Sequence, residues 1–319
     1  MIIDNEDSVT GVVLQAMAGG NNARLRDIAA AFVRHMHAFA REVRLTEAEF
    51  EAGIAMLNRI GQATNEVHNE GVLFSDAIGL STLVCLMNNG ANGNTETAAA
   101  LLGPFWRMHS PVTPNGGSIV RSPTPGPALF ADFEIVDTKG QPIAGVEVDV
   151  WHSSPVGLYE NQDQSQAEMN LRGKFTTDAH GHFGFRSVKP AGYPVPTDGP
   201  TGDLLREQKR HPYRPAHVHF LCYKPGFKTL VTQVFVDQDK YLDSDVVFGV
   251  TRALIGDFKH HESGTPPAPD ISAPWYTLAY RFVMEEGEAT LPHPPIRLSI
   301  RQGLVIGPHA RFLLQQGIE

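Results

Sequence analysis

Two runs and the break between them decide the fold: Leu129-Phe130-Ala131-Asp132-Phe133-Glu134-Ile135-Val136, then Asp137-Thr138-Lys139-Gly140, then Val146-Glu147-Val148-Asp149-Val150-Trp151. In the first, Leu129, Ala131, Phe133 and Ile135 alternate with Phe130, Asp132, Glu134 and Val136. In the second, Val146, Val148 and Val150 alternate with Glu147, Asp149 and Trp151. A period of two puts each set on one face of a pleated strand, and the Asp-Thr-Lys-Gly between them is turn chemistry. Similar short runs recur at 173–177, 182–187, 216–223, 229–236 and 277–283, broken by Asp178-Ala179-His180-Gly181 and Lys224-Pro225-Gly226. Short strands at close intervals with few helices between them predict a sandwich or barrel.

Toward the N-terminus the texture changes. From Gly103-Pro104 to Pro127, Gly, Pro and Ser dominate while Phe105, Trp106 and Ile119 are scattered through, which reads as an ordered connector. Upstream, the period is 3.6. Leu25, Ile28, Ala29, Phe32, Val33, Met36, Phe39 and Ala40 form one helical stripe. Thr46 and Glu49 make a capping-box pattern opening a second helix with Phe50, Ile54 and Leu57 on its face. Leu73, Asp76, Leu80, Leu83, Val84 and Met87 predict a single third helix ending near Asn88-Asn89-Gly90. The expected architecture is mainly β: an all-α part over residues 1–103 and a β-sandwich over 104–319.

Composition bounds the partners. A chain of 319 residues with 42% apolar content fits one large or two moderate domains. The net charge of −9, with no Lys/Arg block, argues against nucleic acid or an anionic membrane surface. No apolar run reaches the ~18 residues of a membrane span. The acidic start, Asp4-Asn5-Glu6-Asp7, lacks signal-peptide character. Cys85 and Cys222 are too few for a disulfide framework or a cysteine zinc site. A cytoplasmic protein is expected, and its 14 histidines turn attention to nitrogen-ligated metal.

The densest polar and aromatic stretch is His211-Pro212-Tyr213-Arg214-Pro215-Ala216-His217-Val218-His219-Phe220. On a strand, His217 and His219 share a face with Cα atoms roughly 6.5–7 Å apart, and two imidazoles so placed can converge on one ion. Val218 points the other way. The plainer reading is a pair of half-buried sheet histidines, and His180-Gly181-His182, on a turn signal, reads as turn polarity. Zinc would need a third His, Cys or carboxylate, and a ferrous facial triad needs a carboxylate. Asp237 and Asp239 lie past the end of the next strand. What stands upstream is tyrosine, at Tyr159 and Tyr193, each ordinarily a core or rim residue if taken singly. On residues alone, a zinc or ferrous hydrolase-like site and a non-catalytic sandwich both stay open. No nucleotide-binding glycine motif, Gly-x-Ser-x-Gly elbow or His-Glu-x-x-His occurs.

Five blocks stand in a telling order: Trp151–Asp163 (WHSSPVGLYENQD), Arg172-Gly173-Lys174-Phe175, Gly192-Tyr193-Pro194-Val195-Pro196, Arg214-Pro215-Ala216-His217-Val218-His219-Phe220 and Leu230-Val231-Thr232-Gln233. Over roughly residues 70–285 the chain resembles the intradiol ring-cleaving dioxygenases, ferric enzymes that open catechols between their hydroxyls. The resemblance implies a helical N-terminal dimerisation part, with a phospholipid held between two copies, and a β-sandwich catalytic part. It implies non-haem Fe(III) on Tyr159, Tyr193, His217 and His219, with Arg214 and Gln233 on the substrate side. Tyr213 departs from the pattern and is the substitute for Tyr193. Ferric iron is hard and favours anionic oxygen, and a bound cation pulls a tyrosine far below its solution pKa of about 10. The family mechanism has the diol bind as a dianion and release Tyr193, while Arg214 stabilises negative charge on the ring.

Within the family the closest resemblance is to the hydroxyquinol 1,2-dioxygenases, through Trp151–Asp163, Gly192–Pro196 and Leu73-Phe74-Ser75-Asp76. That branch cleaves benzene-1,2,4-triol to maleylacetate; the alternative is a catechol or chlorocatechol 1,2-dioxygenase giving cis,cis-muconates. Leu73 and Asp76, one helical turn apart, border the substrate pocket by this matching. So do Leu102, Gly103, Pro104, Phe105, Val195, Pro196 and Val247.

Overall fold

The structure, a computed structural model, describes residues 2–65, 68–88 and 96–293. The alternating run that opens the sheet-forming half is strand β1 (Ala128–Asp137). Its Leu129, Ala131, Phe133 and Ile135 are buried and Asp132 is exposed, as a period of two requires. β1 pairs in parallel with β11 (Trp275–Met284) over ten positions and antiparallel with β4 (His182–Val188). With β10 (Phe258–His261), these form a sheet in the order β10-β11-β1-β4. The second sheet runs β3 (Arg172–Thr176), β2 (Glu147–His152), β7 (His217–Tyr223), β8 (Leu230–Val236) and β9 (Ile255–Gly256). A third ladder is only β5 (Tyr193–Pro194) against β6 (Tyr213–Arg214).

The two large sheets pack face to face, so the expected sandwich is present. Phe133 on β1 stacks with Phe183 and Phe282 of its own sheet and meets Phe220 of the other at 4.8 Å. Val148, Val150, Phe175, Val218, Cys222, Val234 and Val236 complete the buried layer from the five-stranded side. Fully burying such a side chain contributes about 1.5–3 kcal/mol. The strands at 173–177 and 277–283 are shifted or lengthened by one to two residues. The expected turn at Asp178–Gly181 holds: the Asp178 carboxylate accepts from the His180 and His182 amides at 2.8 and 2.9 Å, and Gly181 takes a left-handed φ of 75°. That accounts for the second His-x-His as turn chemistry.

The helices are α1 (Ser8–Met17), α2 (Ala23–Glu42), α3 (Glu47–Ala63), α4 (Glu70–Ala77), α5 (Leu80–Asn88) and α6 (Pro200–Glu207). Thr46 and Glu49 form a reciprocal capping box at the start of α3. The single third helix expected over residues 73–88 is instead two, α4 and α5, bent by 81°. Gly79, at a φ of 75°, ends the first as a left-handed cap. Leu73 and Asp76 are buried while Leu80, Leu83, Val84 and Met87 stay exposed, so the two sets never formed one stripe. Asn89 and Gly90 lie outside the described residues. Neither α1 nor α6 was expected. Contacts divide the chain after Asn58, so α4 and α5 belong to the unit that carries the sheets. The Gly/Pro-rich connector is ordered by backbone bonds to β3 and β4, among them Thr113 N–H to Lys174 C=O and Ile119 N–H to Arg186 C=O. Among the described residues no single helix is long and apolar enough to cross a membrane.

Candidate active site

Alternation in the five-stranded sheet separates two chemistries. Val148, Val150, Val218, Phe220 and Val234 face the other sheet. Residues of the opposite parity face outward, yet Asp149, Trp151, His217, His219, Leu221 and Gln233 among them are buried too, with the segment 98–106 fastened beside them. Its attachments are Ala100 N–H to Val231 C=O, Thr232 Oγ1 to Ala98 C=O, and Gln233 Nε2 to Leu101 C=O at 2.6 Å. Strand register lines up Arg172, Trp151, His219 and Gln233 as one row across β3, β2, β7 and β8. All four are at most 1% exposed. Trp151 lies flat on His219 at 4.7 Å with 5° between planes.

His217 and His219 do converge: their Nε2 atoms are 3.1 Å apart. His217 Nδ1 lies 2.7 Å from the Pro215 carbonyl, which can only accept, so Nδ1 carries the proton and Nε2 keeps its lone pair. Burial, with Arg214 beside them, holds both imidazoles well below their ordinary range, so both stay neutral. Tyr159 comes from the loop after β2 and Tyr193 from β5. The rings close a circuit: Tyr159 to Tyr193 5.5 Å, Tyr193 to His217 5.6 Å, His217 to His219 4.7 Å and His219 to Tyr159 6.5 Å. Glycine makes the approach possible. Gly157, at φ 80°, packs against Tyr193, and a Cβ there would meet the Gly192 carbonyl at 3.0 Å and Tyr193 Cβ at 3.2 Å. A Cβ on Gly103 would press on His219 Cε1 at 3.1 Å.

The Tyr159 hydroxyl and His219 Nδ1 are buried with no hydrogen-bond partner among the described residues. Burial, and Tyr193 after it, push the Tyr159 hydroxyl well above the ordinary tyrosine value. An orphaned buried phenol beside two neutral imidazoles and a second phenol is a donor set that fits a cation. Two oxygens that can become anionic and two neutral nitrogens suit a hard trivalent ion. Among the described residues, no group of three or more His, Cys, Asp or Glu is placed to hold a metal. The zinc and ferrous alternatives therefore lack their carboxylate. Asp239 is used elsewhere, accepting from the Ala216 and Tyr241 amides. Tyr213 is not with the four rings; it sits at the surface stacked on Tyr241 at 4.7 Å.

Arg214 is cross-strand from Tyr193 on β6. Its Nε and Nη2 grip the two oxygens of Asp245 at 3.2 Å each, Nη2 also donates to Gln233 Oε1 at 3.0 Å, and Nη1 meets His217 Nε2 at 3.3 Å. Burial would push this guanidinium down, but Asp245 together with Tyr193 and Tyr159 outweighs it and keeps the group charged. Beside it opens a cavity of about 780 Å³. Leu73, Asp76, Leu102, Gly103, Pro104, Phe105, Val195, Pro196, Arg214 and Val247 all line it, as does Tyr193. Tyr159, His217, His219 and Gln233 are outside that lining. The Phe105 ring stacks on Tyr159 at 4.3 Å and gives the cavity a flat wall.

Sequence reasoning missed several members. Asp245 stands 31 residues past Arg214 in a loop with no pattern to mark it. Glu70, buried at the cavity wall, accepts from Thr201 N–H at 2.8 Å and pairs with His68 at 2.6 Å. Trp151 carried a usable signal: it shares parity with Glu147 and Asp149 rather than with the valines, which puts an indole on the polar face.

Known proteins resemble this chain over both its helical and its sheet-forming parts. The "Dioxygenase" family model matches residues 103–305, and the "Catechol dioxygenase N terminus" model matches residues 22–96. A catechol 1,2-dioxygenase of Candida albicans is 41% identical over 75% of this chain and 80% of its own length. A 6-chlorohydroxyquinol 1,2-dioxygenase of Cupriavidus pinatubonensis is 40% identical over 88% and 97%. The solved hydroxyquinol 1,2-dioxygenase of Pseudomonas putida DLL-E4 superposes with a TM-score of 0.82 at 35% identity, over 88% of this chain and 99% of that one. Matches of this strength, spanning both the helices and the sheets, lead to one conclusion: the chain belongs to the intradiol ring-cleavage dioxygenase family.

Proposed function

We propose that this protein cleaves hydroxyquinol (benzene-1,2,4-triol) with O2 between its adjacent hydroxyls, giving 3-hydroxy-cis,cis-muconate, the tautomer of maleylacetate. The observation that carries the reading is the closed circuit of Tyr159, Tyr193, His217 and His219, in which the buried Tyr159 hydroxyl has no hydrogen-bond partner among the described residues. These four would hold non-haem Fe(III). Bound there, the ion supplies Lewis acidity toward two adjacent ring hydroxyls and draws electron density from the ring, opening it to O2.

The protein's own residues do the rest. Tyr193 lines the cavity, so it is the phenolate that an incoming diol reaches, and its oxygen can take a substrate proton. Tyr159 does not line the cavity and stays in place. Arg214, charged and fixed by Asp245, faces the same cavity and stabilises negative charge that develops on the ring. Its Nη1 N–H meets His217 Nε2; with that lone pair holding an ion, the N–H would be left for the substrate. Gln233 is anchored to Leu101 and donates nothing to the cavity, which suits orienting Arg214 rather than touching substrate. Phe105, Pro104 and Val195 exclude water from the ring faces.

Hydroxyquinol is favoured over catechol by Asp76, a buried carboxylate on the cavity wall one turn from Leu73. It can accept from a third ring hydroxyl that catechol lacks. The relatives named for hydroxyquinols support the same choice. We divide the chain by role into helical residues 1–103 and catalytic residues 104–319, with α4 lending Leu73 and Asp76 to the site. The half-exposed Leu25, Ile28, Phe32, Met36 and Phe39 of α2 suit a homodimer contact with room for a phospholipid. A cytoplasmic setting, keeping Cys85 and Cys222 as thiols, fits both.

The test is optical. Iron-loaded protein should be coloured by tyrosinate-to-iron charge transfer, and Tyr159→Phe should weaken or shift that band. A colourless iron-replete protein sinks the reading. Catechol clearly outpacing hydroxyquinol in a substrate panel, with products identified, would overturn the substrate and leave the metal site standing. A monomeric mass in solution would remove the dimer.

A further inference from the structure

We propose that Arg172 is a positioning residue for ring cleavage: it fixes the Tyr159 ring and the Phe105 wall of the cavity as one stacked pair. The inference rests on the reading that Tyr159 is an iron ligand and that Phe105 borders the substrate.

Arg172 ends the buried row that begins at Gln233, and its guanidinium divides among three attachments. Nε donates to Glu160 Oε2 at 2.7 Å, and Glu160 directly follows Tyr159 in the chain. Nη1 donates to the Phe105 carbonyl at 2.6 Å. The guanidinium carbon stands 5.9 Å from the centroid of the Tyr159 ring. Phe105 and Tyr159 stack on each other at 4.3 Å, and Phe105 also meets Tyr193 edge-on at 6.2 Å. One rigid planar group thus ties the backbone beside Tyr159, the ring itself and the segment bearing the ring packed upon it. Lys could not do this, having a single nitrogen and no fixed fork.

Stability alone is a poor account of Arg172. Nη2 is buried with no partner among the described residues, and a buried ion pair with an idle donor is commonly matched or bettered by apolar side chains of the same volume. Glu160 has a second cation in any case, Arg107 at 2.6 Å, which reaches on to Glu168 at 3.0 Å. The fork geometry is what Arg172 alone supplies. It links a metal ligand to a substrate wall, so disturbing it moves two separate observables.

The experiment compares iron-loaded wild type with Arg172→Lys and Arg107→Gln. It reads the tyrosinate-to-iron absorption maximum, iron per chain, melting temperature, and kcat and KM separately on hydroxyquinol. In Arg172→Lys the absorption maximum moves and KM rises about tenfold with a smaller change in kcat, since the Phe105 wall contributes mainly uniform binding. A folded Arg172→Lys protein with wild-type absorption and KM overturns the proposal, whatever its melting temperature. Should that variant not fold, Arg107→Gln, which slackens Glu160 and leaves Arg172 in place, must show a smaller displacement in the same direction; no displacement overturns the proposal. A colourless iron-loaded wild type would instead overturn the assignment of Tyr159 as ligand.

Discussion

The two faces of the five-stranded sheet are built from the same strands by different rules. On β7, Val218, Phe220 and Cys222 enter a layer shared with the other sheet, where size and shape are enough. His217, His219 and Leu221, one residue out of phase, enter a layer where the polar atoms need named partners: Pro215 for His217, Arg214 for its other nitrogen, Trp151 for the face of His219. These residues are equally dry on both faces. The difference is that the first stores stability and the second leaves donors and acceptors deliberately uncommitted, Tyr159 Oη above all.

Neighbouring residues should therefore fail in opposite ways. His219→Ala should lose iron and at least ~10³-fold of activity while the metal-free protein still folds, because removing a group acting directly on the reacting centre costs transition-state stabilisation of that order. Phe220→Ala should cost about 3–5 kcal/mol of stability while each folded molecule keeps its colour and turnover. Melting temperature, iron content and kcat on the two variants check this, and a His219→Ala protein that retains iron would erase the distinction. Next comes Arg214→Lys, expected to lower kcat by about 10²–10³-fold with colour retained, since a single ammonium cannot serve Asp245, Gln233 and the substrate together.

How far this contrast was legible follows from where each signal resides. Alternation at 129–136 and 146–151 is a local property, so the strands and the sandwich could be read directly. His217 and His219 were readable because one strand carries both. The break at Gly79 was missed because glycine within an apolar pattern is ambiguous until the chain on either side is seen to bury different surfaces. Trp151 was quoted without a role, since stacking on His219 is a cross-strand fact. Asp245, Leu101 and Glu70 reach the site from loops and a helix end far away in sequence, and no period links them to it.

His152 tests the core face at its edge. It shares parity with Val148 and Val150, pairs in register with Val218 and bridges the sheets through a 2.6 Å contact to Ser187 on β4. Burial pushes its imidazole down to about 4. The sign is that of a buried neutral histidine: the unfolded chain, titrating near 6.5, binds the proton first as pH falls. Stability is full above about 6.5 and drains between there and about 4, by about 3 kcal/mol in all. Denaturant unfolding at pH 7 and at pH 4.5, on wild type and His152→Gln, should show a smaller acid loss in the variant. Equal losses would assign the acid sensitivity to other groups.

The finest test lies on the cavity wall, where the outward-facing chemistry meets substrate. Asp76 is buried, and burial pushes its carboxyl up, with Ser81 and Arg214 pulling it back. A buried acceptor is comfortable only with a donor in front of it, and leaving one unpaired costs about 1–3 kcal/mol. With hydroxyquinol bound, the third hydroxyl can add a donor to the one Ser81 supplies; with catechol bound, that second donor is missing. Asp76→Leu should therefore lower kcat/KM for hydroxyquinol by roughly tenfold or more and raise it for catechol, with the absorption of the iron site unchanged. Because the two substrates differ by one hydroxyl, the ratio isolates this contact from general damage to the pocket. A variant that loses both substrates equally would show Asp76 to be a structural member of α4, and the preference for the triol would have to come from the apolar wall instead.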